Sequence, residues 1–262
     1  MSSYATLKIE VAERLATVSM NRPEVRNAFH PTMIRELTLA FRELGSRKDI
    51  AAIVLKGEGK SFCSGADLGY MKAMAAFSFD ENASDSEQLF EMFWAIRECP
   101  LPVIARLHGH VMGGALGLAA VCDLAAAVEG TQFCFSEVRL GLAPAVISPF
   151  VLERMASAHA RRYMLTGEIF GAGEAFDSGL AQFVGDEASV DAFVLKAVAA
   201  FKFNGPEAVR ATKALIRAVG ETSDWTKRKS MTTQVIAERR VSEEGQEGLR
   251  GFLEKREPKW RA

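Results

Sequence analysis

Residues 103–123 read VIARLHGHVMGGALGLAAVCD, and the prediction of the fold depends mainly on them. Its first five residues, four of them apolar, are typical of a short buried strand. Glycines at positions 109, 113 and 114 indicate a turn, and the small apolar residues that follow predict a helix ending near Asp123. A strand that runs through a glycine-bearing turn into a helix is typical of α/β proteins.

The same order occurs once before, and the two turns together suggest a chemical role. The apolar segment IAAIVLKG (50–57) leads into the glycine-rich GEGKSFCSGADL (57–68), and a helix is expected to open near Asp67. Helix starts carry N–H groups without an intrahelical acceptor, and glycine lets a ligand approach the backbone. Two such groups aimed at one point would stabilise an oxygen that becomes negative during a reaction. Ordinary turn chemistry is the alternative. GGALG lacks the lysine of a GxxxxGK(S/T) phosphate loop, and the GxGxxG spacing is absent from both turns.

Elsewhere the pattern predicts further strands in the first half and mostly helices after residue 147. Residues 6–10 and 14–20 predict a β-hairpin, and a helix is expected to start at Pro31. The polar, acidic stretch FSFDENASDSEQ (77–88) predicts an exposed, mobile connection. The chain is therefore expected to form an α/β layer structure with a helical end.

Composition and charge exclude several classes of function. The 262 residues carry 32 Lys and Arg against 33 Asp and Glu, so a net charge of −1 gives no reason to expect nucleic acid or an anionic membrane as partner. The sequence has no secretory pattern and no apolar run of about 20 residues, which favours a cytoplasmic protein. The four cysteines lack metal-ligand spacing and are expected to be reduced thiols. A more specific alternative is that Cys63 acts as a nucleophile, but the sequence shows no evident base that would activate its thiol.

The segments SFCSGADL, GGALGLAAVCDLAAA and FSEVRLGLAP occur in an order and at a spacing that resemble the crotonase superfamily, the enoyl-CoA hydratase/isomerase family. The resemblance extends from NRPEVRNAF to EGLRGFLEKR. It implies a spiral of ββα units over residues 1–200 and a helical trimerisation region over 201–262, assembled as a homotrimer or a dimer of trimers. It also implies an acyl-CoA thioester substrate whose oxygen is held by the N–H groups of Ala66 and Gly114. No cofactor or metal is expected, because coenzyme A enters with the substrate.

The resemblance assigns proton transfer to Glu137, whereas family hydratases usually add a second glutamate at the position held here by Gly117. The longer pattern SEVRLGLAPAVISPFV is most similar to bacterial 3-methylglutaconyl-CoA and isohexenylglutaconyl-CoA hydratases, whose substrates carry a distal carboxylate. A hydratase of that type is the leading hypothesis. A Δ3-Δ2 enoyl-CoA isomerase with a single carboxylate is the main alternative, and a non-catalytic acyl-CoA scaffold is another.

Other residues are candidates for binding the substrate or its CoA moiety. In an extended chain Arg139 would share a face with Glu137 and could pair with a distal carboxylate, although a structural salt bridge is the simpler reading. His108 and His110 could hydrogen-bond substrate or serve only as turn residues. Without the resemblance, Arg26 is an exposed turn charge, Phe252 a core residue and Lys255 part of a solvated cluster. The positions that the resemblance assigns to binding are Arg26, Ser64, Asp67, Leu68, Gly113, Gly117, Phe252 and Lys255.

Overall fold

A six-stranded sheet and a two-stranded sheet form the framework of the chain. The computed structural model describes residues 4–261. The large sheet has the order β1-β2-β3-β4-β6-β8, in which only β1 and β2 are antiparallel, and β5 pairs in parallel with β7. The strands are β1 (Leu7–Ala12), β2 (Leu15–Met20), β3 (Ala52–Gly57), β4 (Val103–Leu107), β5 (His110–Met112), β6 (Leu124–Val128), β7 (Gln132–Cys134) and β8 (Phe183–Gly185).

Helices cover the sheet and occupy most of the second half of the chain. They are α1 (Pro31–Ser46), α2 (Leu68–Met74), α3 (Phe79–Arg97), α4 (Ala115–Val121), α5 (Ser148–Arg154), α6 (Ser157–Thr166), α7 (Ala172–Asp177), α8 (Glu187–Phe203), α9 (Pro206–Gly220), α10 (Trp225–Val241) and α11 (Glu243–Leu253). The α/β prediction is confirmed. No helix among residues 4–261 is long and apolar enough to cross a membrane.

The predicted hairpin is confirmed at β1 and β2. Ala12 pairs with Leu15, which leaves a two-residue turn. Glu13 and Arg14 both have positive φ angles, of 48° and 63°. This conformation has the twist that tight hairpins prefer, so the turn fixes the register of the first two strands.

Alternation along β3 divides the core into two layers. Ile53 and Leu55 point into the main core, whereas Ala52 and Val54 pack in a second cluster. That second cluster also contains Val190, Val194 and Val198 of α8. Because successive side chains of a strand face opposite ways, the sheet is covered on both faces, as parallel sheets usually are.

The ββα unit is repeated, and Gly109 makes its sharpest turn. β4 passes through Gly109 into β5 and then α4, and β6 passes into β7. Gly109 has φ +63°, and a β-carbon there would lie 2.0 Å from the Lys60 carbonyl oxygen. Only glycine can therefore bring the turn after β4 against the turn after β3.

The expectation of a mobile connection over residues 77–88 is wrong, because α3 begins at Phe79. Ser78 accepts a hydrogen bond from the Glu81 N–H, and the Glu81 side chain accepts one from the Ser78 N–H. This capping box satisfies N–H groups at the helix start. The acidic residues thus form the polar first turns of a helix whose later turns are buried.

The C-terminal helices are joined to the sheet layer by a partly buried ion pair. α8 continues past residue 200 to Phe203, and α9 follows after a break at Asn204 and Gly205. Lys213 of α9 lies 2.6 Å from Asp123, at the end of α4, and also donates to the Leu101 carbonyl oxygen. This contact anchors the first helix of the C-terminal region.

Candidate active site

Three short segments lie side by side and form a ladder (residues 62–63, 110–112 and 132–134) next to the large sheet. Cys63 forms a parallel bridge with Val111, and Val111 pairs in parallel with Phe133. Ala66 and Gly114 each follow their ladder residue by three positions, and Glu137 follows Phe133 by four. Since parallel segments end on the same side, the ladder brings the three predicted catalytic positions to one edge.

The amide of Ala66 is free because of the way its loop is paired. Phe29 donates to the Gly65 carbonyl oxygen and accepts from the Asp67 N–H, in a parallel bridge centred on Ala66. Alternate amides of an extended chain point in opposite directions, so the Ala66 N–H points away from Phe29. Within residues 4–261 it donates no hydrogen bond, and Ala66 is exposed.

The amide of Gly114 is free because it precedes the first turn of α4. The neighbouring Gly113 N–H donates to Cys134 at 2.8 Å, and the Leu116 N–H donates to Gly113. The Gly114 N–H has no acceptor in the described part of the chain. The helix dipole makes this end partly positive, which suits an oxygen with developing negative charge.

Glu137 lies against the Gly113 turn with a partly buried carboxylate. A β-carbon on Gly113, whose φ is +53°, would lie 3.5 Å from Glu137 Oε1. The Oε2 atom is covered and has no hydrogen-bond partner in the described structure. Burial raises the pKa of this carboxyl above its usual range. A carboxylate in this environment is suited to proton transfer.

Gly117 is buried inside α4 and leaves no room for a second carboxylate. A β-carbon there would meet Ile147 Cγ2 at 2.5 Å and Phe93 Cε1 at 2.8 Å. These two apolar side chains fill the space that a larger residue would need. The sequence did not point to Phe93 or Ile147, because both are distant in the chain and have no polar group.

The loop after β3 uses Asp67 for structure. Asp67 caps α2 by accepting from the Gly69 and Tyr70 N–H groups, and it pairs with Arg22 at 2.9 Å. These contacts fix the residue that follows Ala66. Arg22 was not predicted from the sequence. Within the turn at residues 21–29, only Arg26 was a candidate.

The other predicted binding residues of this loop lie around the free Ala66 amide. The Ser64 N–H donates to the Arg26 carbonyl oxygen, so both residues are neighbours of the loop. The Arg26 side chain is exposed, and Leu68 is 77% exposed at the start of α2. An exposed cation and an exposed leucine beside the amide are available to a large ligand.

The extended conformation expected from Glu137 to Arg139 is wrong. Residues Glu137–Leu140 form a 3-10 helix, which ends where Gly141 adopts a left-handed conformation. Residues two apart in such a helix do not share a face. Arg139 is exposed, and its stem lies beside Gly167.

The two histidines and Cys63 have structural contacts. His108 bonds the Gly59 carbonyl oxygen at 3.0 Å, and His110 lies 3.1 Å from Ser61 Oγ. Cys63 is a buried free thiol whose burial raises its pKa to about 12. These observations argue against the alternative of a nucleophilic Cys63, because the thiol is covered and burial disfavours the reactive thiolate.

Phe252 and Lys255 lie at the end of the C-terminal helices. Phe252 is 83% exposed, so its interpretation as a core residue is wrong. Lys255 is also exposed, with φ +56°. The helix that carries Phe252, α11, packs mainly against α9 and α10.

A large cavity lies elsewhere, between α4, α5 and α9. It has a volume of about 1030 Å³ and includes the Asp123–Lys213 pair in its lining. None of Ala66, Gly114 and Glu137 lines it. Within residues 4–261, no group of three or more His, Cys, Asp or Glu side chains is arranged to hold a metal ion.

The arrangement provides two free amides and one carboxylate with a raised pKa at the end of the same ladder. Such amides can stabilise a carbonyl oxygen that becomes an enolate. The carboxylate can take or give a proton at a neighbouring carbon or water. The chemistry that fits is proton transfer next to a carbonyl group.

Comparisons with known proteins point in the same direction. Residues 10–262 match the profile of the enoyl-CoA hydratase/isomerase family. An enoyl-CoA hydratase of Alternaria alternata is 35% identical over 211 residues, covering 79% of this chain and 69% of its own. A crystal structure of an enoyl-CoA hydratase from Shewanella pealeana has a TM-score of 0.94 and 36% identity, over 97% of this chain and 96% of its own. A crystal structure of an enoyl-CoA hydratase/isomerase from Marinobacter aquaeolei has a TM-score of 0.90 and 34% identity, over 98% of this chain and 99% of its own.

Proposed function

This chain belongs to the enoyl-CoA hydratase/isomerase family, a family of enzymes, and from that premise we propose that it adds water reversibly to an α,β-unsaturated acyl-CoA. The N–H groups of Ala66 and Gly114 hold the thioester oxygen as it becomes an enolate. Glu137 takes a proton from water as the water oxygen attacks the β-carbon. It then returns a proton to the α-carbon.

The observation that carries this proposal is the ladder, which ends in two unpaired amides and one buried carboxylate. A panel of enoyl-CoA thioesters, assayed by loss of the conjugated chromophore, tests it. Glu137→Gln removes the proton-transfer group and is expected to lower turnover by at least about 10²-fold. Binding of a saturated acyl-CoA should stay within a few-fold of the wild type. Acyl-CoA binding without turnover in the wild-type protein would support the scaffold alternative instead.

We also propose that the substrate carries a distal carboxylate, as 3-methylglutaconyl-CoA does. Two features support this: the resemblance to that branch inferred from the sequence of residues 136–151, and the absence of a second carboxylate at Gly117. Arg139 is the cation proposed to bind the distal acid, because its side chain is exposed close to Glu137 in the chain, although the two do not share a face of the 3-10 helix. Arg139→Leu should then raise KM for thioesters with a distal carboxylate and leave KM for uncharged ones unchanged. An equal effect on both classes would rule out this role.

An enoyl-CoA isomerase is the second candidate, and the closed space at Gly117 favours it. A shift of a proton from one carbon to another needs only one carboxylate. Reaction in water labelled with heavy oxygen separates the two activities. A hydratase incorporates the label into the product, whereas an isomerase moves the double bond without incorporating it.

Self-association is part of the proposal. Apolar side chains are exposed along α10 and α11, including Val241 at 78% and Leu253 at 76%. Exposed apolar surface of this kind is typical of subunit interfaces. A homotrimer or a dimer of trimers would cover it and would bring Phe252 and Lys255 to a neighbouring subunit's substrate.

A further inference from the structure

We propose that Ser136 is a further catalytic residue, whose hydroxyl holds the nucleophilic water together with Glu137. The proposal rests on the hydratase function proposed above. Ser136 Oγ lies 3.4 Å, and Glu137 Oε1 3.5 Å, from the same point, the place that a β-carbon on Gly113 would occupy. Gly113 adjoins the free amide of Gly114, so both oxygens lie beside the candidate oxyanion site.

The Ser136 hydroxyl is available because it makes no hydrogen bond to another residue in the described part of the chain. Ser148 and Ser178 show the usual alternative, since each bonds the carbonyl oxygen three residues earlier. Within residues 4–261, Ser136 Oγ has no partner of this kind. The residue is half-buried and immediately precedes the 3-10 helix that carries Glu137.

The attacking water needs a second partner that Gly117 cannot provide. One hydrogen of the water leaves to Glu137, and the other must be oriented so that a lone pair points to the β-carbon. Ile147 and Phe93 fill the space beside Gly117. A hydroxyl oxygen, like a carboxylate oxygen, can accept the second hydrogen bond from the water. The bond to the hydroxyl is the weaker of the two.

The step balances with the groups present. Water loses one proton to the Glu137 carboxylate, and its oxygen forms a bond to the β-carbon. The electron pair of the carbon–carbon double bond moves to the thioester, whose oxygen becomes an enolate held by Ala66 and Gly114. The Glu137 proton then passes to the α-carbon, and the hydrogen held by Ser136 stays in the product hydroxyl.

The test compares Ser136→Ala with Ser136→Thr on the enoyl-CoA that the substrate panel identifies. Loss of one hydrogen bond to the reacting water should lower kcat by about tenfold in the alanine variant. The threonine variant keeps the hydroxyl and should stay within about threefold of the wild type. KM and the dissociation constant of the saturated analogue should not change. The midpoint of the acidic limb of the kcat profile should also not move, because Ser136 does not hydrogen-bond Glu137.

Three results would overturn the role of Ser136. They are wild-type kcat in Ser136→Ala, a threonine variant as slow as the alanine variant, and a loss of kcat accompanied by a shifted pH midpoint. The last would mean that Ser136 acts through Glu137. Failure of the proposed function is a separate result, since a wild-type protein that hydrates no thioester of the panel shows it before any variant is made.

Discussion

At the scale of single residues, Glu137 is the only carboxylate among residues 4–261 that has a covered oxygen atom without a hydrogen-bond partner. Most buried carboxylates are hydrogen-bonded or ion-paired. The buried Glu36, for example, accepts bonds from the Ala5 and Thr6 N–H groups. An unpaired Glu137 is explained if its partner is the substrate or the reacting water.

The raised pKa of Glu137 predicts the acid side of the activity profile. The group must be ionised to take a proton from water, so kcat should fall as pH drops through its pKa. That midpoint is expected above the value of about 4.3 for an ordinary glutamate. Steady-state rates at saturating substrate over a pH series measure it. A midpoint at or below the ordinary value would contradict the desolvation that the structure indicates.

The same burial predicts that Glu137→Gln stabilises the fold at neutral pH. Because the folded-state pKa is raised, the native state binds more protons than the unfolded state between the unfolded and folded pKa values. Stability is therefore highest below the unfolded pKa and falls as pH rises through the folded pKa. Glutamine does not ionise, so its Tm should exceed that of the wild type at pH 7 and the difference should vanish in acid.

Thermal unfolding at several pH values checks this, and Glu129→Gln is a matched control. Glu129 is exposed, so its replacement should change Tm little. A Glu137→Gln variant that is less stable than the wild type at pH 7 would mean that the carboxylate has a compensating partner.

At the scale of elements, α4 shows how packing decides which groups the site contains. Its seven residues are all buried, and Gly117 is the point where Phe93 of α3 and Ile147 approach the helix most closely. A helix glycine normally weakens a helix by about 1 kcal/mol relative to alanine. Here that cost is offset by close contact between elements.

Gly117→Ala is therefore expected to destabilise the protein although alanine is the better helix former. The new methyl group would overlap Ile147 Cγ2 at 2.5 Å, and overpacking of this kind costs about 1–3 kcal/mol. Gly173→Ala is the matched control, because Gly173 lies in α7 with no atom within 4 Å of its β-carbon position. Denaturant unfolding should show a loss for the first variant and no loss for the second. Equal effects would show that α4 can move away from its neighbours.

Elements with strong local signals were predictable from the sequence. The hairpin and the helix that begins at Pro31 depend on neighbouring residues, although Arg14 lies in the turn and not in the second strand as expected. The two glycine turns were predicted too, because a strand, a glycine and a small-residue helix follow each other directly. The capping box at Ser78 was also a local signal. The acidic residues after it nevertheless led to the prediction of a mobile connection and not of a helix.

Features that depend on distant pairing were not predictable. β5 and β8 have three residues each and exist only because β7 and β6 lie beside them. The 3-10 helix at Glu137 replaced an expected extended chain, since Gly141 closes it by donating to Val138. Residue types at the candidate site followed from the resemblance, whereas their burial and free hydrogen-bonding groups needed coordinates.

At the scale of the whole molecule, the Lys213–Asp123 pair joins α9 to the sheet layer. The Lys213 side chain is 8% exposed and that of Asp123 is 31% exposed. Lys213→Met should lower the free energy of unfolding by about 2–3 kcal/mol, because it leaves a partly screened carboxylate without its cation. Arg42→Ala is the control: it removes a pair with Glu91 whose two side chains are more than half exposed, and should cost at most about 1 kcal/mol. Similar losses in both would contradict an anchoring role.

Assembly is predicted at the same scale. Sedimentation velocity should give a mass of three or six times the 28.6 kDa of one chain. Phe252→Glu places a charge on the exposed face of α11 and should shift the protein to smaller species. Phe79→Glu, at an equally exposed phenylalanine at the start of α3, should leave the assembly unchanged. A monomer at all concentrations would rule out the proposed trimer.

The ladder places two proposed tasks on different segments: binding of the thioester oxygen and proton transfer. Enzymes often combine such tasks in one loop. Two of the ladder's segments end in main-chain amides, which no substitution except proline can remove, and the third ends in an interchangeable side chain. Under the proposed mechanism, replacement of residues such as those at 117, 136 and 137 would alter proton transfer, while the two amides proposed to bind the thioester oxygen would stay in place. A scaffold divided in this way can give rise to new reactions one residue at a time.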